Sequence, residues 1–145
     1  ERRNHLKKIE EFVREQKICE SIGYYVGGSS QTVLEEASTK QIILATYQMA
    51  AEGMNIPTLN TVIFASPISD IQQSIGRILR EKQSERKYIP LCIDIWDEFS
   101  VFRNKGFTRI KYYKNNEYNI KYFTDKEEHD CEKKTNEKVQ FIDDE

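Results

Sequence analysis

Little in this 145-residue chain suits metal chemistry, secretion or a membrane. Its three cysteines, Cys19, Cys92 and Cys131, stand far apart and form no C-x-x-C pair, and the two histidines, His5 and His129, do not complete a zinc-binding set with them. An odd, unpatterned cysteine count fits a reducing, intracellular compartment better than a disulfide framework. No run of about 18 apolar residues occurs, so no membrane-spanning helix is expected. The start carries no secretory signal pattern; it reads as a charged amphipathic helix with Leu6, Ile9, Phe12 and Val13 on one face. Also missing is G-x-x-x-x-G-K-[ST], the loop whose backbone cradles nucleotide phosphates. Gly27-Gly28-Ser29-Ser30 lacks the lysine and reads as a turn ahead of a short helix.

The net charge of −2 is small but uneven. Residues 124–145 hold nine acids against four lysines, a balance of −5, while residues 1–123 hold 18 basic and 15 acidic side chains, a balance of +3. The first part has the size for a single core and a mild basicity compatible with a phosphate backbone. The second, poor in apolar residues, reads as a disordered or frayed tail. The expected organisation is therefore one folded domain over 1–123 and a charged tail over 124–145.

What is present points to an α/β fold. Gln41-Ile42-Ile43-Leu44-Ala45 is an apolar run ending at Thr46 and predicts a buried strand. A short helix follows as far as Glu52-Gly53, stopped by Asn55-Ile56-Pro57. Thr61-Val62-Ile63-Phe64-Ala65 predicts a second strand, Ser66-Pro67 a turn, and Ser69-Asp70 the cap of another helix. Strand, crossover helix, strand and helix make a parallel pattern, and such sheets bind ligands at the carboxyl ends of their strands. Thr46 and the loop from Gly53 to Asn55 are placed at such an end.

The run Gln73-Ser74-Ile75-Gly76-Arg77-Ile78-Leu79-Arg80 carries the chemistry. Arg77 and Arg80, three apart, share one face if the segment is helical, and Gly76 keeps that face open. Two guanidinium forks beside Gln73 suit a γ-phosphate and the charge that develops when it is transferred. The plainer reading is an amphipathic helix with Ile71, Ile75, Ile78 and Leu79 inward and its arginines in water.

Taken in order, A-T-Y-Q-M-A-A-E-G-M-N-I-P and Q-S-I-G-R-I-L-R resemble motifs V and VI of superfamily 2 helicases, in their second RecA-like domain. Tyr24-Tyr25-Val26-Gly27-Gly28, Leu59-Asn60-Thr61-Val62-Ile63, Pro67 to Asp70, and Ile93-Asp94-Ile95-Trp96-Asp97 with Phe99-Ser100 bring the likeness closer to helicases of large DNA viruses, those similar to the poxvirus transcript-release helicase. The resemblance covers roughly residues 1–123. It implies a RecA-like parallel sheet flanked by helices, with its first strand missing because Glu1-Arg2 look like the tail of that strand's segment.

The resemblance also implies roles. Thr46 would touch a nucleic-acid phosphate. Glu52, Gly53 and Asn55 would meet the nucleotide sugar, Asn55 standing where aspartate is commoner. Gln73 would lie near the γ-phosphate, and Arg77 and Arg80 would be arginine fingers. ATP is the implied nucleotide, with magnesium held by an absent N-terminal RecA-like domain, in cis or in trans; no metal site is assigned to this chain. Alone, the chain is expected to hydrolyse little or no ATP. A nucleic acid, DNA favoured over RNA, is the implied partner, and a virus-encoded protein acting in host cell or virion fits. Two rivals are the motor part of a type III-like restriction system and a non-enzymatic module binding nucleic acid or a transcription complex.

Two further stretches carry expectations. Leu91-Cys92-Ile93-Asp94-Ile95-Trp96 before Asp97-Glu98 has the form of a magnesium-holding strand, but it follows the arginine segment, whereas the family's acidic motif precedes it. Asp97-Glu98 is read as the acidic start of a helix from Glu98 to Lys105. Cys92 is placed in the core. From Lys105 to Phe123 aromatic and basic residues alternate, which predicts a β-hairpin turning at Asn115-Asn116. The other reading is a stacking platform in which Arg109, Lys111 and Lys114 meet a single strand's phosphates.

Overall fold

A computed structural model describes residues 2–123 and 128–130. The first helix, α1 (Arg2–Glu15), buries Leu6 and Val13, one seven-residue step apart, with Ile9 half-buried between them. Phe12 is 58% exposed, so the apolar face is narrower than expected. Tyr24 donates its hydroxyl hydrogen to Glu10 and Arg3 donates to the Gly27 carbonyl, docking α1 on the strand that follows. That contact lowers the Glu10 pKa. Burial, together with the Glu10 carboxylate, pushes the Tyr24 phenol up to about 12.

Strand β1 (Ile22–Tyr25) pairs in parallel with β2 (Ile42–Ala45), joined through α2 (Gln31–Ser38), as a parallel pair requires a crossover. Ser30 caps α2 by accepting from the Val33 N–H at 3.4 Å. The turn before it, with Gly28 at φ +84°, is the one expected. Gly23 lets α2 lie directly on β1: a Cβ there would stand 2.7 Å from Ala37 Cα. Tyr25, Ala37, Met54 and Ile56 form the core of this half.

The chain then passes through α3 (Tyr47–Glu52) to β3 (Thr61–Phe64), α4 (Gln72–Ile78) and β4 (Leu91–Asp94). Strands β3 and β4 also pair in parallel, with Val62 beside Cys92 and Ile63 beside Ile93. Because side chains alternate, Val62, Phe64 and Cys92 pack with Ile71, Ile75 and Tyr113 on one face. The opposite face leaves Ile63, Leu91 and Ile93 about half exposed. Helix α5 (Ser100–Asn115) closes the second core, and β5 (Lys121–Phe123) pairs antiparallel with β6 (Glu128–Asp130).

The expected class, parallel strands flanked by helices, is what is found. The pairing differs in extent: β1–β2 and β3–β4 are separate two-stranded sheets rather than one central sheet. Cys92 is half-buried in β4, as placed from its apolar neighbours.

Three local expectations are corrected. Residues 105–123 are not a hairpin turning at Asn115-Asn116, because only Lys121–Phe123 is a strand and α5 runs to Asn115. Its buried stripe is Gly106, Arg109 and Tyr113, at helical spacing, and two of those three do not count as apolar in a hydropathy pattern. Arg109 is 1% exposed and cannot meet a strand's phosphates; Lys111 and Lys114 are exposed on the helix. That helix also starts two residues later than expected, at Ser100, with the Asp97 carboxylate accepting from the Phe99 N–H at 3.0 Å. Finally, Ser69 and Asp70 do not cap α4, whose cap position is Ile71 with no side-chain bond. Of the tail, Glu128–Asp130 is a strand, and the rest of 124–145 lies outside the described residues.

Candidate functional site

Thr46 follows β2 at its carboxyl end and is the cap residue of α3. Its N–H reaches the Tyr25 carbonyl at 3.4 Å and its carbonyl accepts from Ala50 at 2.9 Å, yet its hydroxyl makes no capping bond. The backbone is thus fixed while the hydroxyl is left for another acceptor. At the other end of α3, Glu52 is exposed and Gly53 is the C-cap. Tyr25, last residue of β1, donates to the Gly53 carbonyl at 3.1 Å, and this pins the loop to a strand's carboxyl end.

Helix α4 and the residues just after it bring the arginines to that loop. Gln73 and Gly76 are exposed on it, and a Cβ at Gly76 would meet nothing within 4 Å. Arg77, half-buried in the last turn, donates through Nη2 to the Ala51 carbonyl near the end of α3. The helix ends at Ile78, so Arg80 lies beyond it rather than on its face as the spacing predicts. It still converges with Arg77, because its Nη1 donates to Asn55 Oδ1. Arg86 braces this segment: its Nη2 donates to the Leu79 carbonyl at 2.8 Å and its Nε to the Glu81 carbonyl at 2.7 Å.

Arg77, Arg80 and Asn55 therefore share one locality with Glu52 and Gly53. Thr46 stands off by the length of α3, about 9 Å for six residues. Gln73 is exposed and makes no hydrogen bond to the group. Two shallow clefts of about 280 and 380 Å³ flank the loop between β3 and α4, and neither is lined by Thr46, Asn55, Gln73, Arg77 or Arg80. Arg80 is exposed and Arg77 half-buried.

Open space before Gly76 has a measurable consequence. Gly76→Ala should stabilise the chain by about 0.5–1 kcal/mol in urea denaturation, since a helical glycine costs that much relative to alanine. If a ligand or partner comes close over this face, the same variant loses function while gaining stability. Unchanged turnover in an active assembly would show that nothing approaches there.

Sequence reasoning missed a second polar cluster. Arg109 on α5 donates from Nε and Nη2 to the two Asp94 oxygens, both at 2.7 Å, and from Nη1 to the Ile68 carbonyl at 2.7 Å. Tyr113 donates to Asp94 Oδ2 at 2.9 Å and its hydroxyl lies 3.7 Å from Cys92 Sγ. Burial works to lower the Arg109 pKa, but the hydrogen-bonded Asp94 carboxylate outweighs it and the net shift is upward. Burial also raises the Tyr113 and Cys92 values, so both stay protonated. No sequence signal links two residues 15 apart when one lies in a strand and the other in a helix.

Parallel strand pairs joined by crossover helices are consistent with a RecA-like fold. The helicase conserved C-terminal domain family matches residues 1–82, and the chain belongs to it. Among its relatives is a protein of Acanthamoeba polyphaga mimivirus, provisionally named an ATP-dependent RNA helicase, 41% identical over 105 residues. That match covers 71% of this chain and 20% of the relative. African swine fever virus proteins with the same provisional name are 32% identical in a Kenyan pig isolate and in a Namibian warthog isolate. They cover 77% and 76% of this chain and 22% and 21% of their own lengths. The chain thus spans about a fifth of these relatives. Among the described residues no helix is long and apolar enough to cross a membrane.

Proposed function

We propose that this chain is the C-terminal half of a superfamily 2 ATP-dependent helicase or translocase. Arg77 and Arg80 act as arginine fingers toward a triphosphate bound chiefly by an N-terminal RecA-like domain, in cis or in trans. Gln73 lies by the γ-phosphate, Glu52, Gly53 and Asn55 meet the nucleotide sugar, and Thr46 holds a phosphate of the nucleic-acid strand. The phosphate loop and the magnesium-holding acid belong to the other domain. One observation carries this reading: both guanidiniums converge on the α3 end and the loop after it.

The neutral Asn55 fits such a role. An aspartate would hold Arg80 as an opposite charge, which a neutral amide oxygen does not, so Asn55 releases the guanidinium more readily to a phosphate. The strand is the open part of the proposal. The sequence resemblance favours DNA, whereas the relatives' names specify RNA. Both present the phosphates that Thr46 would touch.

Joining the chain to an ATP-binding half that carries a phosphate loop tests this directly. The chain alone should hydrolyse little or no ATP; the joined protein should hydrolyse it and be stimulated by single strands. Comparing RNA and DNA of one sequence at a stated salt concentration assigns the substrate. A joined, folded protein that binds strands without hydrolysis would leave the binding-module alternative instead.

A further inference from the structure

We infer that Arg109 is a positioning residue for the arginine-bearing helix, an inference that rests on the motor reading of α4. Helix α4 begins with no side-chain cap, so its entry is not fixed locally. The loop leading into it is instead gripped at two carbonyls. Tyr47, the first residue of α3, donates its hydroxyl hydrogen to Ser66 O, and Arg109 donates Nη1 to Ile68 O at 2.7 Å. Three residues later Ile71, 1% exposed, anchors the start of α4 in the core with Phe64 and Ile75.

The other two Arg109 nitrogens, Nε and Nη2, donate to Asp94 at the end of β4, and Tyr113 holds that carboxylate in turn. One planar fork therefore ties the end of β4, helix α5 and the loop before α4 into a single unit. Arg77 hangs from that unit, and its reach to Ala51 is set by where α4 starts. A lysine at 109 could pair with Asp94 but has no rigid fork to reach Ile68 as well. The charge pair and the loop grip are thus separable.

Arg109→Lys in this 145-residue chain should let amides in 66–78 exchange hydrogen about tenfold faster, while the β1–β2 segment from 22 to 45 is unchanged. In the joined motor kcat should fall roughly tenfold to a hundredfold, with KM for ATP within about twofold, as for a displaced catalytic group. Should that variant fold poorly, Asp94→Leu with Arg109→Met keeps an apolar, packed site but removes the bond to Ile68, and it should show the same local exchange and kcat loss. Acceleration spread equally over both halves, or a folded double variant with ordinary exchange at 66–78, overturns the inference. An unmutated joined protein without ATPase would refute the motor reading, while the exchange result still decides the grip.

Discussion

Replacing Arg80 by alanine should lower ATP turnover of the joined motor by about 10³ to 10⁵, the range seen when an arginine finger is lost, and leave the fold intact. The two halves of that expectation come from different facts. Arg80 is exposed and lies outside the helix, and its Nη1 donates to Asn55, itself exposed. Its backbone is held from elsewhere, by Arg86 on the Leu79 and Glu81 carbonyls, so truncating the side chain does not release the segment. Arg80→Lys should restore little, because a single ammonium cannot grip phosphate oxygens in pairs. Arg77→Ala is a less clean test: its half-buried guanidinium also secures the Ala51 carbonyl, so stability and turnover would fall together. Turnover near that of the unmodified protein in Arg80→Ala, with an unchanged thermal unfolding profile, would remove the finger assignment.

The legible and illegible parts of this fold divide along a physical line. Strands β2 and β3 announce themselves because their residues are apolar without interruption between turn signals. Helix α3, reaching Glu52-Gly53 ahead of Asn55-Ile56-Pro57, follows from residue type in the same way. Helix α5 was hidden because the side chain it buries deepest is an arginine, neutralised by a partner on another element. The aromatic and basic alternation on either side of Arg109 mimicked a strand. The break between the two sheets was also out of reach, since pairing is not a local property. At the candidate site the residue types were readable, each as a contact to an absent ligand. What escaped was that Arg80 and Asn55 meet each other in the free chain, 25 positions apart.

Asp94→Ala should cost about 3–5 kcal/mol in urea unfolding, the usual price of leaving one member of a buried ion pair alone. Arg109 is 1% exposed and cannot turn its guanidinium to water without dragging α5 off the core. Two of its donors and the Tyr113 hydroxyl would lose their acceptor at once. Against a total stability of about 5–15 kcal/mol for a domain, that loss is enough to unfold a sizeable fraction at 37 °C. The pair is not therefore a net stabiliser. Taking two charges out of water costs nearly what their attraction returns, so replacing both residues, Asp94→Leu with Arg109→Met, should recover most of the loss. A double-mutant cycle reads the coupling directly, and residues in contact at 2.7 Å should show up to about 3 kcal/mol. If Asp94→Ala alone cost less than about 1 kcal/mol, Arg109 would have found water or another acceptor, and the tie between β4, α5 and the arginine helix would be too loose to set where Arg77 reaches.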